Sequence, residues 1–324
     1  MKAAHPMMAD RHQAMRQRAR VYARVREFFA AREVVEVETP ILSEAGNTDP
    51  NIQSFVTRFE GPVGAGRRER WLRTSPEFPL KRLLAEGFGD CYELGRVFRN
   101  GESGRRHNPE FTMLEWYRRG WDHLRLIDET VELVQYLLQG EGLQAVVRRY
   151  SYRDLYREVL DLDPWAASEP ELRAPLTAFG IDPEGLLRDD WLDLLMTHCI
   201  EPWMDPQGIL VVHDFPASQC ALARIRAGTP PLAERFELYL GRRELANGYH
   251  ELNDPQEQTA RFNRDNALRR LRGLPEVPVD QRLLDTLASM PDCAGVALGV
   301  ERLLMHLAQV EAIGQVLAYG FDEA

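Results

Sequence analysis

Residues Cys91 to Tyr117, CYELGRVFRNGESGRRHNPEFTMLEWY, constrain the fold more than any other part of the chain. Two arms alternate in polarity with a period of two and flank a glycine-bearing loop, which predicts an antiparallel hairpin. In the first arm Tyr92, Leu94 and Phe98 share one face, and Glu93, Val97 and Arg99 share the other. In the second arm Phe111, Met113, Glu115 and Tyr117 line a single surface, which places a ring, a carboxylate and a phenol together. The loop from Asn100 to Pro109 carries Arg105, Arg106 and His107, with Gly101 and Gly104 to let the backbone turn and approach a ligand. Such a loop suits phosphate, although a solvated basic loop has the same composition.

The chain has 324 residues, 44% of them hydrophobic, enough to bury a large core as one big domain or two modest ones. No run of about 18 apolar residues occurs, so no membrane helix is expected. Met1 to Arg26 is polar and has no apolar stretch of the secretory kind; Met15, Ala19, Tyr22 and Phe29 recur there at helical spacing and predict an amphipathic helix. The cysteines Cys91, Cys199, Cys220 and Cys293 are scattered without paired spacing, which predicts free thiols, a reducing, cytoplasmic setting and no zinc site. The net charge of −10 argues against non-specific nucleic-acid binding as the main activity. Local arginine clusters at 67, 68 and 70 and along residues 16 to 26 read as solvated faces.

In chain order, Arg11 to Arg32 predicts a helix, and Val34 to Thr39 a strand that stops at Pro40. Trp71 onward predicts a short strand, then a turn at Thr74-Ser75-Pro76-Glu77 and a helix from Phe78 to Glu86. Asp122 to Gln139 has the apolar spacing of a core helix. The segment at about 150–231 reads as short helices, including Asp190 to Cys199, and a strand at Ile209 to Val212; His198 and His213 in it are isolated. A second hairpin is predicted around Gly241-Arg242. A two-residue turn there sets Tyr239 opposite Glu244 and leaves Glu237 on the same face, where two carboxylates repel unless they share a cation such as Mg2+. Gly295 to Arg302 predicts a glycine-bearing strand entering a helix.

Phe98-Arg99-Asn100, His107-Asn108-Pro109-Glu110-Phe111 and Met113-Leu114-Glu115 resemble motif 2 of the class II aminoacyl-tRNA synthetases, and the lysyl enzymes most. The first helix, strand and Pro40 are similar to motif 1, and Gly295-Val296-Ala297-Leu298-Gly299-Val300-Glu301-Arg302 to motif 3. The resemblance implies an α+β catalytic fold, a mixed and mostly antiparallel sheet flanked by helices. It implies one domain over 1–324 with a mainly helical insertion at about 150–231, and a homodimer formed through motif 1. ATP is implied as a ligand of Arg99, Asn100, Glu102, His107, Asn108, Phe111, Glu244, Gly299 and Arg302, with Arg99 and Arg302 catalytic. Glu237 and Glu244 are implied as Mg2+ ligands. The amino-acid substrate is implied at Ser75, Glu77, Glu115, Tyr117, Asn247, Glu251 and Ala297. The physical logic fits a lysine-like ammonium, whose desolvation needs carboxylates and acceptors around it. Ser218 and Gln219, in Phe215-Pro216-Ala217-Ser218-Gln219, stand where family members close over the substrate.

Two departures from the lysyl pattern narrow the expectation. Only a few dozen residues precede motif 1, so no anticodon-binding OB-fold is expected and tRNA is not the expected acceptor. Ala297 also stands where the lysyl enzymes have the middle glycine of motif 3. Both features resemble the branch of ligases that attach (R)-β-lysine to elongation factor P, which implies an aminoacyl-adenylate and then an amide on a lysine of that protein. A lysyl-tRNA synthetase working without an anticodon domain and an inactive regulatory paralogue are the alternatives.

Overall fold

In the computed structural model, residues 6–62, 64 and 66–324 are described; residues 1–5 of the polar N-terminal segment lie outside them. The chain divides into two compact units, residues 1–121 with 252–324, and residues 122–251.

The first unit opens with α1 (Pro6–Ala30). Its buried stripe is Ala14, Val21, Val25, Phe28 and Phe29, at spacings of three, four and seven as one helix face requires. Ala19 is exposed, so the apolar stripe is rotated from the expected one. Arg18 lies on the buried face: its guanidinium donates to Glu301 at 2.8 Å and to Thr112 at 3.2 Å, so this arginine is not the solvated one its neighbours suggested. The expected strand after α1 shrinks to β1 (Val35–Glu36), although Val37 still donates to the Tyr92 carbonyl. Next come β2 (Leu42–Ser43), β3 (Val56–Arg58) and β4 (Glu69–Leu72), a small sheet in the order β2-β4-β3. Then follow α2 (Glu77–Ala85) and the hairpin of β5 (Cys91–Phe98) with β6 (Glu110–Arg119). Phe29 stacks on Tyr92 at 4.4 Å and meets Trp116 edge-on at 5.4 Å, which fastens α1 to the hairpin's reverse face.

The second unit holds α3 (His123–Gly140), β7 (Val147–Ser151), α4 (Tyr152–Leu160), α5 (Glu169–Arg173), α6 (Arg188–Leu195) and α7 (Glu201–Trp203). It continues with β8 (Ile209–Pro216), β9 (Ile225–Arg226), β10 (Leu232–Leu240) and β11 (Arg243–His250). Asp122 caps α3 by accepting from the Arg125 amide at 2.8 Å. The strands run β11-β10-β8-β7, with β9 also on β10; only the β7–β8 pair is parallel. Tyr152, Tyr156, Trp191, Phe215 and Tyr239 form the centre of this unit's core.

The chain then returns to the first unit through α8 (Pro255–Leu271), α9 (Gln281–Leu287), β12 (Cys293–Gly299) and α10 (Val300–Leu307). There the strands run β1-β5-β6-β12, antiparallel except for β1–β5. All four cysteines are free. No helix among the described residues is long and apolar enough to cross a membrane.

Candidate functional site

The β5–β6 register pairs Cys91 with Tyr117, Glu93 with Glu115, Val97 with Phe111 and Phe98 with Glu110. Phe111, Met113, Glu115 and Tyr117 therefore share one face, and β12 extends that face on the far side. Gly295 lies opposite Tyr117, Ala297 opposite Glu115 and Gly299 opposite Met113. Directly opposed residues bring their Cβ atoms to about 5 Å, so the Ala297 methyl stands beside Glu115 between two positions without side chains.

Glu115 is 2% exposed, and both its oxygens are held. Ser75 donates to Oε2 at 2.6 Å and Tyr117 to Oε1 at 2.8 Å. Ser75 Oγ also accepts from the Glu77 amide at 2.9 Å, which ties the substrate-side turn to the start of α2. Four of the predicted substrate residues, Ser75, Glu77, Glu115 and Tyr117, thus form one network. Glu77 is engaged by Lys81, one helical turn on, whose buried ammonium donates to Oε1 at 2.5 Å. Sequence reasoning missed Lys81, although acid and base four residues apart on a helix is a readable signal. It also missed the partner of Glu93. That carboxylate faces Glu115 across the hairpin and would repel it, but Arg73 pairs with it at 2.5 Å and Thr39 donates to it at 2.6 Å.

At the other end of the face the phosphate-type loop turns at Gly101, whose φ of 85° suits glycine. Arg99 lies 5.2 Å above the Phe111 ring and 3.6 Å from Glu102, and its Nε is buried without a hydrogen-bond partner. Arg302, in the first turn of α10, approaches His107 Nε2 at 3.3 Å. Desolvation first, then the charges of Arg302, Arg99 and Arg106, push the His107 pKa down, opposed by Glu102. Cations gathered this closely form a site for a polyanion. Asn108 is occupied otherwise: its amide donates to the Glu110 carbonyl at 2.6 Å and accepts from the Phe321 amide at 3.1 Å, so it braces the loop. The Asn100 amide donates to the Gln53 carbonyl at 2.7 Å.

In the second unit, β10 and β11 form the predicted hairpin, with Tyr239 opposite Glu244. Leu238 pairs with Ala246, so Leu245 is an extra residue, a bulge. Its effect is directional. Without it Glu244 and Asn247, an odd number of residues apart, would face opposite ways; with it both share the face of Glu237, as does Glu251. Glu237 is 9% exposed and sits between Arg235, which pairs with it, and the Tyr239 hydroxyl at 2.6 Å. Burial first, opposed by Arg235 and reinforced by the charge of Glu244, raises the Glu237 pKa. Two carboxylates on one face of a hairpin, one of them buried, are a hard-oxygen donor set of the kind Mg2+ takes. Asn247 Oδ1 is buried without a donor, an acceptor left for a ligand. Ser218 and Gln219 are turned to α6, donating to Asp189 at 2.9 Å and Asp193 at 3.0 Å.

Residues 4–323 match the family model for tRNA synthetases class II (D, K and N). The chain belongs to the class II tRNA synthetase family. It is 46% identical to an elongation factor P (R)-β-lysine ligase of Mannheimia succiniciproducens, over 95% of this chain and 94% of the relative. Relatives of the same name in Pasteurella multocida and Yersinia enterocolitica are 44% and 46% identical, again over 95% of this chain and 94% of the relative. Membership of this family implies the use of ATP.

Proposed function

We propose that this protein activates (R)-β-lysine with ATP, releasing pyrophosphate, and transfers it from the adenylate to a lysine side chain of elongation factor P. The observation that carries this reading is the 44–46% identity to ligases of that name over 95% of the chain, joined to an intact substrate network around Glu115. The protein works as a cytoplasmic homodimer.

Arg99 and Arg302 neutralise charge that grows on the α-phosphate as the substrate carboxylate attacks, and the loop around His107 holds the outer phosphates. Phe111 offers its ring to adenine, Asn100 and Glu102 are further contacts of ATP, and Gly299 leaves room for the nucleotide against the backbone. Asn108 acts by bracing the loop. Glu237 and Glu244 would hold Mg2+, which when bound screens the phosphate oxygens. Glu115, with its lone pairs fixed by Ser75 and Tyr117, takes the distal ammonium, Glu77 takes the other amine, and Asn247 and Glu251 are further substrate ligands supplied by the second unit. Ala297 removes the space that an α-amino acid would use. No protein group need act as nucleophile, because the attacking amine belongs to the acceptor.

The test is ATP–pyrophosphate exchange with each lysine isomer, run beside a charging assay with purified tRNA. Exchange led by (R)-β-lysine without tRNA charging is expected. Charging of tRNA would reassign the chain to lysyl-tRNA synthesis, and absence of all exchange would make it an inactive paralogue.

A further inference from the structure

On the reverse face of the β10–β11 hairpin from Glu237, Glu244, Asn247 and Glu251 lies a second cluster that the reaction does not use. His123 at the start of α3, Glu234 of β10 and His250 of β11 each bring one ligand atom within 4.8 Å of the others. The histidines are 1% and 8% exposed. His250 Nδ1 lies 2.6 Å from Glu234 Oε2, within hydrogen-bond distance. Asp214 of β8 receives His123 Nε2 at 3.3 Å, which leaves His123 Nδ1 buried and without a partner.

The surroundings are arranged as a metal's outer partners are. Asp214 has a φ of 58°, a left-handed conformation that a non-glycine residue in a strand adopts at a cost, and it points its carboxylate at His123, His213 and Arg226. Burial alone would raise the Asp214 pKa; the hydrogen bonds from His123 and His213 and the charge of Arg226 hold it far below the ordinary range. A carboxylate on one ring nitrogen fixes a histidine's tautomer and makes the other nitrogen the donor. Arg226 in turn binds Glu234 Oε1 at 3.1 Å, so Oε2 is the atom turned to His250.

We propose that His123, Glu234 and His250 bind a divalent transition metal of the Zn2+ class, which replaces the Glu234–His250 hydrogen bond and pins α3 to the hairpin that carries the substrate residues. Two imidazoles and a carboxylate form a donor set that Zn2+ accepts, with a fourth position for water. Zn–ligand bonds of about 2.0–2.1 Å place tetrahedral ligands about 3.3 Å apart, so the cluster adjusts by side-chain motions of about 1 Å. Arg226 and Asp214 stay as outer partners of Glu234 and His123.

The experiment uses the full chain treated with a chelator and titrated with Co2+, whose visible absorption reports low-coordinate nitrogen ligation, then with Zn2+ against a chromophoric chelator. One equivalent is expected, with an increase in melting temperature. His250→Gln and His123→Gln should abolish the absorption while circular dichroism stays native, and Asp214→Asn should weaken affinity about 10- to 100-fold. Glu237→Gln should leave it intact. No Co2+ absorption in the wild type overturns the site; so does binding that survives in both histidine variants, or that vanishes in Glu237→Gln, which would place the ion on the other face.

Discussion

Replacing Glu115 with glutamine keeps the shape of the side chain and removes its charge. In the folded protein the cost is small, because the Ser75 and Tyr117 hydroxyls that now donate to its oxygens at 2.6 and 2.8 Å can rotate to suit an amide. The cost appears when an ammonium arrives at a group that is 2% exposed and has no water to replace the lost partner. A hydrogen bond to a charged group contributes about 1.5–3 kcal/mol, which corresponds to roughly 10- to 150-fold in affinity. The assay is ATP–pyrophosphate exchange at varied amino-acid concentration. Glu115→Gln should raise the KM for lysine isomers by that factor and leave the KM for ATP and the melting temperature nearly unchanged. A lysine KM within about threefold of wild type would refute the assignment of Glu115 to the ammonium, and an equal loss for ATP would mean that the substitution had disturbed the whole hairpin face.

Ala297 lies in register with Glu115, so Ala297→Gly opens space the size of one methyl beside the substrate; the ratio of exchange with (R)-β-lysine to that with α-lysine should fall by about 10- to 200-fold, the range a single methyl can decide. Arg73→Ala leaves Glu93 buried and unpaired opposite Glu115; urea unfolding should register a loss of about 3–5 kcal/mol, and Arg73→Met with Glu93→Gln should recover most of it. His107 has its pKa lowered by desolvation and neighbouring cations, so near neutrality it is uncharged, and arrival of a triphosphate favours its protonation. ATP binding should therefore take up a proton and tighten as pH falls below neutrality, seen calorimetrically in buffers of different ionisation heat; His107→Gln should remove the uptake.

Both hairpins were readable because alternation fixes which side chains share a face, and the two-residue turn fixed the pairing of Tyr239 with Glu244. The face carrying Phe111, Glu115 and Tyr117 followed from the same rule. Periodicity could not reveal what satisfies the buried charges. Arg18 with Glu301 and Arg73 with Glu93 join residues far apart in sequence, and composition alone makes such arginines look solvated. The bulge at Leu245 was harder to read, since the extra residue shifts the alternation by one and its mark is only the adjacent apolar pair Leu245-Ala246. The strand after α1 was overread for a related reason: β-branched residues predict extended backbone, but only Val35 and Glu36 find a ladder partner. His123 and His213 are far apart in sequence and meet only through Asp214, whose left-handed backbone no propensity predicts.

The central claim is that this synthetase-family chain modifies a protein rather than a tRNA. Intact-mass spectrometry of elongation factor P, after incubation with the enzyme, ATP and each lysine isomer in turn, tests it most directly. A gain of one lysyl unit on a single lysine, greatest with (R)-β-lysine and dependent on ATP, is the predicted result. An unchanged mass with every isomer, under conditions where pyrophosphate exchange proceeds, would contradict it.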